Sequence, residues 1–177
     1  DYGAAIWAET ITQTKKVNEK CTVEVLTPDF KGDEFALKTV FDSQPDIFSH
    51  NVECVERISK AVRAQANWQR SLGVLKSSIS YGLRTKTGIM VGLGEQVEEV
   101  KETMKQVVDL GVQIFTIGQY LQPTKKHLPV QDYISKEQFE AYKVYGYSIG
   151  FKVVESGPLV RSSYHADEQA RMVFNDV

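Results

Sequence analysis

The 177-residue chain predicts an α/β fold in which a parallel sheet curves like part of a barrel. Three observations carry that expectation. Short β-branched runs alternate with amphipathic stretches, the pattern of parallel strands joined by right-handed helical crossovers. Polar residues gather just after each strand, at Pro28-Asp29, His50-Asn51, 92–95 and 119–122, as they do where the carboxyl ends of barrel strands build a site. Roughly five strands are present where a closed barrel of this kind has about eight, so part of the barrel is expected to be missing.

Taken in order, the opening "DYGAAIWAETITQTKKVN" places Ala4, Trp7, Ala8 and Ile11 on one helical face. It has no initiating Met and starts directly on a helix, so the chain is expected to be cut from something longer. The run "TVEVL" (22–26) reads as a strand, followed by a helix that aligns Leu37, Val40 and Phe41. "DIF" (46–48) leads through "SHNVE" into a helix sharing Val55, Ile58 and Val62, and Leu72, Leu75 and Ile79 mark another. "TGIMV" (87–91) passes through "GLGE" into a helix with Val97, Val100, Met104 and Val107 inward and Gly111 at its end. "QIFTI" (113–117), a helix carrying Phe139, Tyr142, Gly146 and Ile149, and "FKVVE" (151–155) complete the alternation.

Composition narrows the function. A formal charge of −2, with 42% hydrophobic and 25% charged residues, is that of an ordinary soluble domain, and no basic stripe speaks for nucleic acid. No apolar run approaches the roughly 18 to 20 residues that span a bilayer, and no signal peptide is evident. The expected compartment is the cytoplasm or an organelle matrix. Cys21 and Cys54 lack any metal-ligand or redox spacing and read as reduced, mostly buried thiols.

Four segments carry candidate chemistry, and each has a purely structural reading beside the functional one. Gly88, Gly92 and Gly94 around a strand end, with Glu95 opening a helix, suit a cofactor loop with free N–H groups. They equally suit a tight turn in which Glu95, Glu98 and Glu99 complement the helix dipole. Asn51 and Glu53 can bond a sugar hydroxyl or an ammonium group, or cap the next helix. Gln119, Tyr120 and Gln122 end a buried strand, while Lys125-Lys126 suit a solvated loop. In "GPLVRSSYHAD", Arg161, Ser162, Ser163 and His165 are costly to bury without partners, or form a polar turn. His50 and His127 have no second ligand at a metal spacing.

Together, "VEVLTPDFKG", "DIFSHNVE", "TKTGIMVGLGE", "TIGQYLQPTKKHLPV" and "GFKVVESGPLVRSSYHA" resemble, in order and interval, the latter part of the lipoyl synthase family of radical S-adenosylmethionine (SAM) enzymes. The resemblance covers essentially the whole chain, and "GPLVRSSYHA" is its most specific piece. It implies a partial TIM barrel of the radical SAM type, with strands three to six in residues 1–150 and a C-terminal extension over 151–177. It also implies insertion of two sulfur atoms at the sixth and eighth carbons of a protein-bound octanoyl chain. The implied cofactors are S-adenosylmethionine and two 4Fe-4S clusters, one generating a 5′-deoxyadenosyl radical and an auxiliary one giving up its sulfur. The implied partners are octanoylated carrier domains of 2-oxoacid dehydrogenase and glycine-cleavage proteins, with an electron donor such as ferredoxin or flavodoxin.

By the same resemblance, Met90, Gly92 and Glu95 belong to a GxIxGxxE element beside the adenine, and Asn51 and Glu53 to the ribose and amino-acid contacts. Arg63 is implied as a carboxylate partner, and Gln119, Tyr120 and Gln122 flank the adenine or the octanoyl channel. Ser162 or Ser163 supplies an oxygen ligand to the auxiliary cluster, whose irons are otherwise held by thiolates. The family's CxxxCxxC loop and the auxiliary-site cysteines are absent from this sequence. Tyr2 stands where the family has Gly, and Cys54 where Thr is common. The chain by itself is therefore expected to hold neither cluster properly and not to turn over. The competing expectation is a non-catalytic module that binds an octanoylated or lipoyl carrier domain.

Overall fold

The β-branched runs become five strands: β1 (Glu24–Leu26), β2 (Ile47–Ser49), β3 (Thr85–Val91), β4 (Ile114–Gln119) and β5 (Val153–Gly157). They form one sheet in the order β1-β2-β3-β4-β5 with every pairing parallel, in a computed structural model that describes residues 1–65 and 67–174. Sequential parallel order is what repeated right-handed crossovers generate, and the fold is a partial TIM barrel.

Helices α1 (Ala4–Val17), α2 (Glu34–Asp42), α3 (Glu56–Val62), α4 (Trp68–Ser80), α5 (Val97–Asp109), α6 (Lys136–Ile149) and α7 (Ala166–Phe174) complete the chain. Their starts follow from capping residues. Asp33, Asn67 and Ser135 each accept the N–H of the third residue onward, from Ala36, Arg70 and Gln138. Glu99 reaches back to the Gln96 N–H at 2.8 Å, and α6 ends at Gly150 in the left-handed region.

Strand side chains alternate between two faces. Val25 and Phe48 enter one apolar cluster with α1, α2 and Val74 of α4, while Ile89, Val91, Phe115, Ile117 and Val154 enter a second beneath α3 to α6. The intervening Ile47, Ile114 and Val153 point the other way, where Ala170 and Val173 of α7 cover them. This inner cover was not legible in the sequence. Its apolar positions, Ala170, Val173 and Phe174, are too few to set a period. The implied extension thus begins by adding β5 to the sheet and then turns α7 across the inner face; its residues 175–177 lie outside the described residues.

Two smaller expectations change. Val97 is exposed rather than inward, because it opens α5 ahead of the buried stripe Val100, Met104 and Val107. Cys21 is exposed in the connection leading into β1, whereas Cys54 is buried as expected.

Candidate functional site

Because all five strands are parallel, their carboxyl ends lie on one side of the sheet. Asn51 and Glu53 follow β2. Glu53 occupies the left-handed region, with φ 73°, and is held there by a bridge to β3: its N–H donates to the Gly88 carbonyl at 3.1 Å, and its carbonyl accepts from the Met90 N–H at 2.8 Å. On β3, Gly88 and Met90 alternate with core-facing Ile89. The parallel register sets them beside Thr116 and Gly118 of β4.

After β5 the chain folds back over the sheet. A Cβ on Gly118 would collide with the Val160 carbonyl, so only glycine lets this segment lie so close. The result is a cleft of about 160 Å³ whose walls include Asn51, Glu53, Met90, Thr116, Arg161 and Ser162.

Inside it, Asn51 Nδ2 donates to Ser162 Oγ at 2.9 Å. Asn51 Oδ1 lies over Gly88, 3.4 Å from where a Cβ there would stand, and is buried with no partner among the described residues. The helix-cap reading of Asn51 and Glu53 fails, since α3 starts at Glu56 and is preceded by Val55. Burial pushes the Glu53 carboxyl above its ordinary value, and the Arg63 guanidinium, 3.8 Å away, opposes that shift. Arg63 itself ends α3 outside the cleft, beside Pro28, Asp29 and Arg70.

Other predicted residues serve the loops around the cleft. Glu95 does not leave free N–H groups: its two carboxylate oxygens accept from Gly92 and Leu93 at 2.6 and 2.9 Å. Gly92 has φ 100°, and a Cβ there would collide with the Gln119 side chain and the Asp132 carbonyl. Gln119, the last residue of β4, is itself among the residues lining the cleft, while its amide donates to the Tyr120 and Asp132 carbonyls and accepts from the Ile134 N–H at 3.0 Å. Tyr120 Oη donates to the Leu128 carbonyl at 2.9 Å, and exposed Gln122 bonds the His127 carbonyl at 2.8 Å. Together these bonds pin the long 120–134 connection. Ser163 is exposed, and it is Ser162 that lines the cleft. Gly118 reads from the sequence only as a residue at the end of a strand, and Thr116, inside the 113–117 run, was not singled out, because one strand read alone does not show which of its faces meets a cleft. Continuing the alternation of Gly88 and Met90 into the neighbouring strand is the signal that finds them.

The donor set separates two kinds of ligand. The orphaned Asn51 oxygen and the Glu53 carboxylate are acceptors, which fits a ligand bearing ammonium or hydroxyl groups such as S-adenosylmethionine. An iron–sulfur cluster does not fit this chain's residues alone. No group of three or more His, Cys, Asp or Glu side chains is placed to hold a metal among the described residues, and burial pushes the Cys54 thiol up to about 12. His50 is a satisfied core residue between the Thr27 carbonyl and Ser71 Oγ, at 3.0 and 3.1 Å.

Residues 2–107, more than half of the chain, match the radical SAM superfamily, and the chain belongs to that superfamily. Within it, the chain is similar to lipoyl synthases. Over 171 residues it is 52% identical to the lipoyl synthase of Phocaeicola vulgatus, covering 97% of this chain and 60% of that one. The lipoyl synthase of Rubrobacter xylanophilus is 53% identical over 171 residues, covering 96% and 53%. The mitochondrial lipoyl synthase of Nematostella vectensis is 50% identical over 169 residues, covering 95% and 58%. The chain thus spans little more than half the length of these relatives. A solved domain of pyruvate-formate lyase-activating enzyme from Bacteroides vulgatus superimposes with a TM-score of 0.64 over 85% of this chain and 89% of that domain. At 11% identity that likeness shows the fold.

Proposed function

We propose that the chain forms the SAM-facing cleft and the serine-bearing extension of a lipoyl synthase. That activity inserts two sulfur atoms at the sixth and eighth carbons of a protein-bound octanoyl-lysine. One observation carries the reading. Four segments far apart in sequence, at Asn51–Glu53, Gly88–Met90, Thr116–Gly118 and Val160–Ser162, converge on a single cleft at the carboxyl ends of the strands. Residues with the family's motif chemistry meet there, and the similarity to lipoyl synthases runs along nearly the whole chain.

S-adenosylmethionine and two 4Fe-4S clusters supply the radical and sulfur chemistry when bound. This chain's residues bind and orient. Asn51 Oδ1 and the Glu53 carboxylate accept from ligand hydroxyl or ammonium groups, and Met90 packs against an apolar ring. Glu95, Gln119 and Tyr120 hold the surrounding loops. Ser162, which lines the cleft while Ser163 is exposed, would supply an oxygen ligand to an auxiliary cluster whose other ligands come from outside this chain, and the Arg161 guanidinium would offset negative charge beside it. The partners are octanoylated carrier domains of 2-oxoacid dehydrogenase and glycine-cleavage proteins and a ferredoxin or flavodoxin reductant, in the cytoplasm. No helix of the described residues is long and apolar enough to cross a membrane.

The test reads the coding sequence upstream of Asp1 and assays both products. After iron and sulfide reconstitution, with S-adenosylmethionine, dithionite and an octanoylated carrier domain, the 177-residue chain gives no lipoyl product by mass spectrometry. A reading frame extended through an upstream CxxxCxxC gives it. A start codon with no such motif, or an extended protein that forms no product, sinks the enzyme reading in favour of a carrier-binding module.

A further inference from the structure

Asn51 divides the two ends of its amide between two different structures. Its Nδ2 holds Ser162 Oγ at 2.9 Å, across 111 residues of sequence, while its Oδ1 is buried without a partner among the described residues. A buried amide oxygen lacking a donor is costly to keep, so the cleft is short of one hydrogen-bond donor.

Both seats of the amide are rigid. On one side, the Val52 N–H donates to Thr87 Oγ1 at 3.2 Å, and Glu53 is bridged to β3. On the other, Val160 is buried with its carbonyl seated on Gly118 and bonded by Arg161 Nη1 at 2.6 Å, and the Tyr164 N–H closes a turn on the Arg161 carbonyl at 2.9 Å. Only the amide between them has a choice. Turned by half a rotation, it would present Nδ2 to the cleft and Oδ1 to the serine. A donor in the cleft decides that choice, because it satisfies Oδ1 and leaves Nδ2 on Ser162.

We propose that Asn51 is a positioning residue that couples the occupant of the cleft to Ser162: a ligand ammonium or hydroxyl on Oδ1 locks the amide in the orientation whose Nδ2 holds the serine oxygen. The inference rests on the reading of the cleft as a SAM site. Such coupling is reciprocal, so losing the serine hydroxyl must weaken the ligand.

The probe is S-adenosylhomocysteine, titrated calorimetrically into the 177-residue chain and followed by the side-chain amide resonances of Asn51. Ser162→Ala weakens binding by about fivefold or more, and Ser162→Thr, which keeps the hydroxyl, returns it to within about twofold. Ser163→Ala binds as wild type. The double variant Asn51→Ala, Ser162→Ala binds no more weakly than Asn51→Ala alone, and ligand shifts the Asn51 amide resonances in wild type but less in Ser162→Ala. If Ser162→Ala binds as tightly as wild type, or the two losses multiply, the coupling is overturned while the cleft reading stands. If the wild-type chain binds no ligand at millimolar concentration, the cleft reading falls and the coupling with it.

Discussion

The Lys86 ammonium lies 2.8 and 3.0 Å from the two Glu24 carboxylate oxygens, with none of the lysine side chain exposed. The pair ties edge strand β1 to β3 across β2 on the inner face of the sheet. Removing one partner of a buried pair leaves a stranded charge, and here the stranding is unequal because Glu24 keeps some contact with solvent. Glu24→Gln is expected to cost about 3 kcal/mol or more in urea unfolding, Lys86→Met less, and the double variant less than Glu24→Gln alone. A Glu24→Gln protein as stable as wild type would show that the pair does not brace the sheet.

Glu95 is expected to act as a loop staple. Glu95→Ala strands the Gly92 and Leu93 N–H groups and should lower stability by about 2 kcal/mol, whereas Glu95→Gln, which keeps one acceptor oxygen, should lose about half of that. Thermal melts of the three proteins check the ranking.

Stability should fall as the solution is acidified below neutrality. Burial pushes the His50 imidazole below its ordinary value, partly opposed by the Thr27 carbonyl; Arg63 adds to the lowering and Asp29 opposes it. Between the unfolded value of about 6.5 and the lower native one, the unfolded chain binds the extra proton, so unfolding free energy rises with pH through that window and is fully present above it. Urea unfolding at pH 8, 7 and 5.5 should give a decline confined to the acid side, and the decline should shrink in His50→Asn.

The two thiols should react very differently. Exposed Cys21 is expected to be alkylated by iodoacetamide in the native protein, and Cys54, buried and pushed up to about 12, only on unfolding. Peptide mass mapping under native conditions separates them. Modification of both at equal rates would contradict the burial of Cys54.

Much of this fold was legible because its signals are local. The short β-branched runs mark the strands, and the stripe Val100, Met104, Val107 has the helical period. Helix α7 was not, since only its contact with Ile47, Ile114 and Val153 gives its few apolar residues a purpose. The site divides in the same way. Asn51, Glu53, Met90 and Ser162 could be named from motifs, and they share the cleft. Glu95 and Tyr120 carry the same motif signature but lie outside the cleft lining, and Gln119 lines it with its amide taken up by loop backbone, because a polar side chain reads alike in sequence whether its partner is a ligand or a neighbouring amide.

The sequence by itself determined the parallel α/β order, the family resemblance and the polar clusters at the strand ends, all of which depend on residues close together in the chain. Tertiary structure alone decided that Asn51 meets Ser162, that Ser162 rather than Ser163 lines the cleft, and that one acceptor there is left without a donor. Those outcomes depend on strand register and on the close approach of Val160 to Gly118, and register is set by burial summed over the whole sheet rather than by any single segment.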